Sequence, residues 1–301
     1  MEYLMIRSLP SSFYKWRSRT CFHKEAAGYT NLQTLKRATI PACSLLLQHM
    51  QSFIVASIVI LSLTVKSCGS SGKTGGPVTD SGYTFKTPHP DGTGKVYMGR
   101  EIAHVMSADG AAWLERSTRQ MEEDVDAAVA ALPLTPTSTV ADIGAGTGYY
   151  SFRIARRVPQ GRVYAVEVQD EFVASLQARI NKENISNITV IKGGEQSPNL
   201  PDNTIDLFIM VDVYHELAFP KEMLQCLHRA LKPNGRILLL EYRAEDPSIP
   251  IKELHKLSAE QATKELGANG FRLVDKKDFL PIQHYLLFGK AGERAPSTKG
   301  N

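Results

Sequence analysis

Between residues 139 and 158 the chain passes from a short apolar run (139–143) through three alternating glycines, Gly144, Gly146 and Gly148, into a stretch with helical character that ends near Val158. This reads as a buried strand, a glycine turn and a helix. Glycine admits backbone conformations closed to other residues and lets a ligand approach the main chain. The first turn of the helix beyond it presents N–H groups that have no partner inside the helix. Such a construction suits an adenosine-containing cofactor and needs a sheet to carry it.

The following residues supply that sheet. Strands are predicted at 162–166, 188–191, 205–211 and 236–241, with helices at about 171–184 and 221–231 between them, a loop at Gly193, Gly194 and Glu195, and a turn at Pro233, Asn234 and Gly235. Short, nearly continuous apolar strands separated by helices mean a parallel sheet covered on both faces, a doubly wound α/β fold. The chain then changes plan. A helix over 258–269 has Ser258 as N-cap and Asn269-Gly270 as its stop. Strands at 271–274 and 284–288 are too close for a crossover and must form an antiparallel hairpin. Ahead of the sheet, 96–106 reads as a short helical piece. A longer helix runs from Gly110 to just before Pro133, with Trp113, Leu114, Met121, Val125, Ala128, Val129 and Leu132 on one apolar face.

The front of the chain differs in charge. Residues 1–67 hold 8 of the 35 basic residues and 2 of the 31 acidic ones, which leaves the remainder with a net charge of −2 and no electrostatic case for nucleic acid. Basic residues precede an apolar run at 53–65, followed by Lys66, Ser67 and Cys68. The run is shorter than the roughly 20 residues a bilayer span needs. Residues 65–68 resemble the lipobox of bacterial lipoproteins. An exported lipoprotein, an uncleaved signal anchor and an organelle presequence all remain open, and an inward-facing anchor would leave the body cytoplasmic. The expected organisation is a leader at 1–67, a flexible linker at 68–94, one domain at 95–290 and a tail at 291–301. Outside the leader and Cys68 only Cys226 remains, read as a buried structural cysteine, and no Cys/His spacing resembles a metal site.

The loop itself separates candidate cofactors. A dinucleotide fingerprint needs a third glycine where Tyr149 stands. Asp142, at the end of its strand, would repel a pyrophosphate and attract an ammonium. Glu167, ending the next strand, can accept hydrogen bonds from ribose hydroxyls. A ligand with ribose, an amine and no phosphate fits S-adenosylmethionine.

Asp142 through Gly148, the acidic end of the second strand, Asp206 with Val211 and Asp212, and residues 231–236 together resemble class I S-adenosylmethionine-dependent methyltransferases. The resemblance covers about residues 96–290 and implies a seven-stranded Rossmann-like methyltransferase sheet. It further implies a cofactor site in which Asp142 and the backbone of Gly144 and Gly146 hold the methionine portion, with Ala145 and Gly148 in the same cofactor-binding loop. In that site Glu167 binds the ribose, Glu195 lies near the adenine, and Asp212, at the end of the fourth strand, is a further cofactor-binding residue.

Methyl transfer from a sulfonium is an in-line displacement in which positioning supplies much of the rate. A base is added where the nucleophile must lose a proton. The end of the fourth strand carries Tyr214, His215 and Glu216, with His215 the first candidate base. Weaker candidates are Glu241, Tyr242, Arg243, His255, Lys256, His284 and Tyr285. The expected partners are a small-molecule or protein methyl acceptor and, through the N-terminal segment, a membrane. Two other readings are a non-catalytic S-adenosylmethionine-binding module and an NAD-dependent oxidoreductase, the latter opposed by Tyr149 and the hairpin.

Overall fold

The structure, a computed structural model, describes residues 82–292. The leader, Cys68, most of the expected linker and the tail from residue 293 lie outside them.

Seven strands form the central sheet: β4 (Thr139–Ile143), β5 (Arg162–Glu167), β6 (Ile188–Lys192), β7 (Ile205–Val211), β8 (Leu231–Tyr242), β9 (Phe271–Lys277) and β10 (Gln283–Lys290). Their order is β6-β5-β4-β7-β8-β10-β9. The first five are parallel, and β10 runs antiparallel to both β8 and β9. This is the doubly wound sheet with a C-terminal antiparallel hairpin that the sequence predicts. From β4 the chain steps outward through β5 to β6, then returns to lay β7 on the other side of β4. The C-terminal ends of β4 and β7 therefore diverge at the point where open α/β sheets form their ligand crevice.

Helices cover both faces. One core contains Val140, Ile154, Leu176, Leu207 and Leu238, and the other Ala141, Phe208, Met210, Leu224 and Leu266. Alternate residues along β4 and β7 thus serve opposite layers, as a strand period of two requires. The covering helices are α4 (Ser151–Arg157), α5 (Asp170–Glu183), α6 (Pro220–Ala230) and α7 (Ala259–Ala268). Pro220 opens α6, where its missing N–H costs nothing. The Ser258 side chain accepts the Gln261 N–H to cap α7, as predicted.

The N-terminal part departs from expectation. Instead of a linker end and a helical piece, residues 83–103 form a three-stranded antiparallel sheet of β1 (Tyr83–Phe85), β2 (Gly92–Tyr97) and β3 (Arg100–Ala103). Met98 and Gly99 turn between β2 and β3, both with positive φ. Arg100 holds this sheet to the body through a two-toothed pair with Glu265 of α7, both contacts 2.8 Å. The predicted long helix after Gly110 is broken into α1 (Ala111–Leu114), α2 (Arg119–Glu123) and α3 (Val125–Ala130). The second break falls at Asp124, which is left-handed (φ 50°) and whose carboxylate accepts the Ala127 N–H to start α3. The apolar face is accordingly split. Val125, Ala128, Val129 and Leu132 are buried, whereas Trp113 and Met121 are exposed. The expected turn at 233–235 belongs to β8, whose register shifts against β7 between Ile205 and Leu207. Cys226 is partly exposed on α6 rather than buried.

Candidate active site

A cavity of about 670 Å³ opens at the β4/β7 crevice. Its rims come from the glycine turn, the ends of β5 and β7, the segment after β3, α1, and the passage from β8 to α7. The volume is within the range of roughly 300–1,000 Å³ typical of small-molecule sites.

The glycine turn follows β4 directly. Gly144 and Gly146 have φ of 69° and 54°, and a Cβ on Gly144 would stand 2.8 Å from both Val213 methyls, while one on Gly146 would stand 2.8 Å from Leu114 Cδ1. Both positions need glycine for conformation and for clearance. Glu167, ending β5, holds the turn in place: its Oε2 accepts the Gly146 N–H (2.9 Å) and its Oε1 the N–H groups of Val168 and Gln169. Each carboxylate oxygen can accept more than one hydrogen bond, so the group that fixes the loop also lines the cavity.

Asp142 is buried, and its Oδ2 accepts the Ser151 hydroxyl at 2.6 Å. Burial raises its pKa to about 7, against the opposing effect of the Ser151 hydrogen bond. It faces a second, small cavity of about 30 Å³ beside Ala145, Tyr149 and Tyr150, which shares Gly144, Leu114 and Arg119 with the large one. Asp212, after β7, has φ 52°; its Oδ2 accepts Gln283 Nε2–H at 2.8 Å and its buried Oδ1 has no protein partner. Burial, then the charges of Glu123 and Glu241, push its carboxyl well above the usual range. A buried carboxyl oxygen without a partner calls for one that the protein itself does not supply. Glu195 reaches the cavity wall. Gly148 does not: a Cβ there would press on Leu176 and Phe152 at 2.7 Å, so it serves helix packing.

His215 and Glu216 line the cavity, and His255 joins them from the β8–α7 passage. His215 Nδ1 meets Glu241 Oε2 at 2.6 Å. Its Nε2 faces His255 Nδ1 at 3.3 Å and Glu216 Oε1 at 3.7 Å. Burial alone would lower the His215 pKa, but the Glu241 charge and the hydrogen bonds to Glu216 and Glu241 prevail and hold it at about 10. Glu216 is held at about 2, because hydrogen bonds from His215 and His255 outweigh its own burial. Tyr214 is not a site residue. It is buried beneath the cavity, and its hydroxyl donates to Glu265 at 2.8 Å.

Among the weaker candidates, Tyr242 lines the cavity and donates to Glu123. Arg243 instead donates to backbone carbonyls of Leu280, Pro281 and Gln283. Lys256 donates to the Asp246 and Ile249 carbonyls, His284 pairs with Glu245, and Tyr285 donates to the Ala131 carbonyl. The structure adds Arg119, which lines both cavities while paired with Glu123 at 2.9 Å. No periodicity or motif marks it in the sequence.

Sheet order, glycine turn and acidic strand ends define an α/β domain that binds a nucleoside-containing cofactor at its switch point. Comparison with known proteins narrows this. Residues 140–235 match the model of a methyltransferase domain. The ubiquinone/menaquinone biosynthesis C-methyltransferase UbiE of Ruegeria sp. (strain TM1040) is 24% identical over 133 residues, covering 44% of this chain and 53% of that relative. The demethylmenaquinone methyltransferase of Chlamydia muridarum (strain MoPn / Nigg) is 27% identical over 126 residues, covering 42% and 54%. The chain thus spans about half the length of these curated relatives. The solved structure of a SAM-dependent methyltransferase from Aquifex aeolicus superposes with a TM-score of 0.58 at 25% identity, covering 61% of this chain and 98% of that one. The chain carries a class I S-adenosylmethionine-dependent methyltransferase domain.

Proposed function

We propose that the whole protein transfers a methyl group from S-adenosylmethionine to a small, largely apolar acceptor in the 670 Å³ cavity. The observation that carries this reading is the meeting, at one crevice, of the Gly144–Gly146 cradle, the Glu167 carboxylate and the unpartnered Asp212 Oδ1. Glu167 is placed to take the ribose hydroxyls and Glu195 to flank the adenine. Asp142 and Asp212 offer carboxylates to the ammonium, and Arg119 a cation to the carboxylate of the methionine portion.

Bound S-adenosylmethionine supplies an electrophilic methyl group on a sulfonium. The chain's own contribution is to hold the acceptor in line and keep water out, with Val105, Leu217 and Met223 among the apolar lining. His215, buried and held through Nδ1 by Glu241 at 2.6 Å, is a positioning group rather than the base. Of the two histidines, His255 is the one open to the acceptor, its side chain being 21% exposed against 2% for His215. The curated relatives are named for quinone biosynthesis, so a demethylated quinol is the first acceptor to assay. Methyl-labelled S-adenosylmethionine should yield labelled product and S-adenosylhomocysteine, with release reduced in His255→Ala. Cofactor binding without turnover on quinols or any extract fraction would favour the binding-module reading instead.

We also propose that residues 53–65 hold the protein at a membrane, as a lipoprotein through Cys68 or as a signal anchor. The basic residues preceding the apolar run support this. Among the described residues no helix is long and apolar enough to cross a membrane. Flotation of the full chain with membranes, lost on deleting residues 1–67, tests it.

A further inference from the structure

The cluster of His215, Glu216 and His255 is arranged as a ligand set, although no spacing in the sequence announces it. His215 Nε2, Glu216 Oε1 and His255 Nδ1 form a triangle with edges of 3.2, 3.3 and 3.7 Å. Donors bound tetrahedrally at about 2.0–2.1 Å from one ion stand about 3.3 Å apart. Among the described residues this is the one group of three such side chains whose donor atoms come together in this way. Two of the three are already oriented from behind. Glu241 Oε2 accepts from His215 Nδ1–H at 2.6 Å, and its Oε1 is itself fixed by the Tyr214 N–H at 2.8 Å. The other oxygen of Glu216, Oε2, accepts the Met106 N–H at 3.2 Å. A carboxylate on the far nitrogen of a ligating histidine is the usual outer support of a metal site, since it fixes the tautomer that leaves the near nitrogen's lone pair for the ion.

We propose that His215 Nε2, Glu216 Oε1 and His255 Nδ1 bind one divalent transition-metal ion of the zinc type, with Glu241 as its outer support. Two imidazoles and one carboxylate suit such an ion better than magnesium or calcium, which prefer an all-oxygen set. All three ligand residues line the cavity, so the remaining coordination position opens onto it. An acceptor reaching the ion through oxygen or nitrogen would be held there and made more acidic. That use of the ion rests on the methyl-transfer reading; the binding of the ion does not.

The test uses the full chain, stripped with a strong chelator and titrated with Co²⁺ and Zn²⁺ against a chromophoric competitor. The expected result is one equivalent per chain, with visible Co²⁺ absorption of a low-coordinate nitrogen and oxygen site. Glu241→Gln should weaken binding by about 10–100-fold. His255→Ala and Glu216→Gln should weaken it by at least as much, with the Co²⁺ spectrum lost. His255 is half-buried at the cavity rim, so its variant is the one least exposed to misfolding, and thermal unfolding of each variant checks that the fold persists. Absence of stoichiometric binding would overturn the proposal. So would unchanged affinity in His255→Ala, which would place the ion on other residues such as the cysteines and histidines of the leader. Titration with S-adenosylmethionine, run separately, keeps a failed metal site distinct from a failed cofactor site.

Discussion

The proposed contact of Asp142 with the ammonium of the cofactor would make binding depend on pH in a calculable way. Its carboxyl is fully buried, and burial raises its pKa to about 7. An ammonium binds the ionised form, so below pH 7 the proton must leave before the cofactor is held. Each pH unit below that value should weaken S-adenosylmethionine about tenfold, or roughly 1.4 kcal/mol. At pH 5 the deficit relative to pH 7, where half the carboxyl is already ionised, is then about 50-fold, or roughly 2.3 kcal/mol. Above roughly pH 7.7–8.0 the α-amino group of the ligand itself loses its charge and affinity falls again. Calorimetric titrations between pH 5 and 7.5, in buffers of different ionisation enthalpy, read both the affinity and the protons released. Asp212, also pushed upward, can add a second proton, and Asp142→Asn isolates the share of Asp142.

Stability follows the opposite course. The folded carboxyl binds its proton more tightly than the unfolded one at 3.8, so its contribution is fully present below about pH 4 and is lost as pH rises towards 7. The loss amounts to up to about 4 kcal/mol. Asp142→Asn should therefore stabilise the protein at neutral pH while weakening the cofactor. Affinity constant between pH 5 and 7, or an Asn variant that keeps the wild-type slope, would refute the reasoning.

Three further outcomes follow from the geometry. Gly144→Ala forces a Cβ into left-handed backbone and against both Val213 methyls at 2.8 Å; strain and overpacking together should cost roughly 2–5 kcal/mol in urea unfolding and abolish cofactor binding. Arg100→Met leaves Glu265 buried with its guanidinium partner gone, a loss of about 3–5 kcal/mol measurable by the same unfolding. Tyr214→Phe removes a hydroxyl that donates to buried Glu265 and does not reach the cavity, so it should cost about 1.5–3 kcal/mol of stability and leave cofactor affinity unchanged.

The sheet was legible because each parallel strand is a short apolar run bounded by turn residues, and β7 at 205–211 is read to the residue. The glycine turn was legible because alternate glycines between strand and helix have few other uses. The β2–β3 hairpin was not. Residues 92–97 carry two glycines and a lysine, and their strand character comes from pairing with β1 and β3 rather than from apolar periodicity. The helix predicted after Gly110 fails at Asp124 because a left-handed residue with a capping side chain can end one helix and start the next without disturbing the apolar spacing. The position of a side chain at the crevice was legible where it adjoins a motif, as for Asp142, Glu167 and Asp212 at the ends of β4, β5 and β7. His255 and Arg119 are brought in by tertiary structure from segments with no motif. Tyr214 shows the converse, since its neighbours face the cavity while it turns into the core.

The central claim is that the β4/β7 crevice is an S-adenosylmethionine site. Calorimetric titration of the full chain at pH 7.5 with S-adenosylmethionine and, in parallel, with NADH tests it most directly. The account predicts one S-adenosylmethionine per chain, lost in Gly144→Ala, and no heat from NADH. Absence of S-adenosylmethionine binding by the folded protein, or tighter binding of NADH, would contradict it.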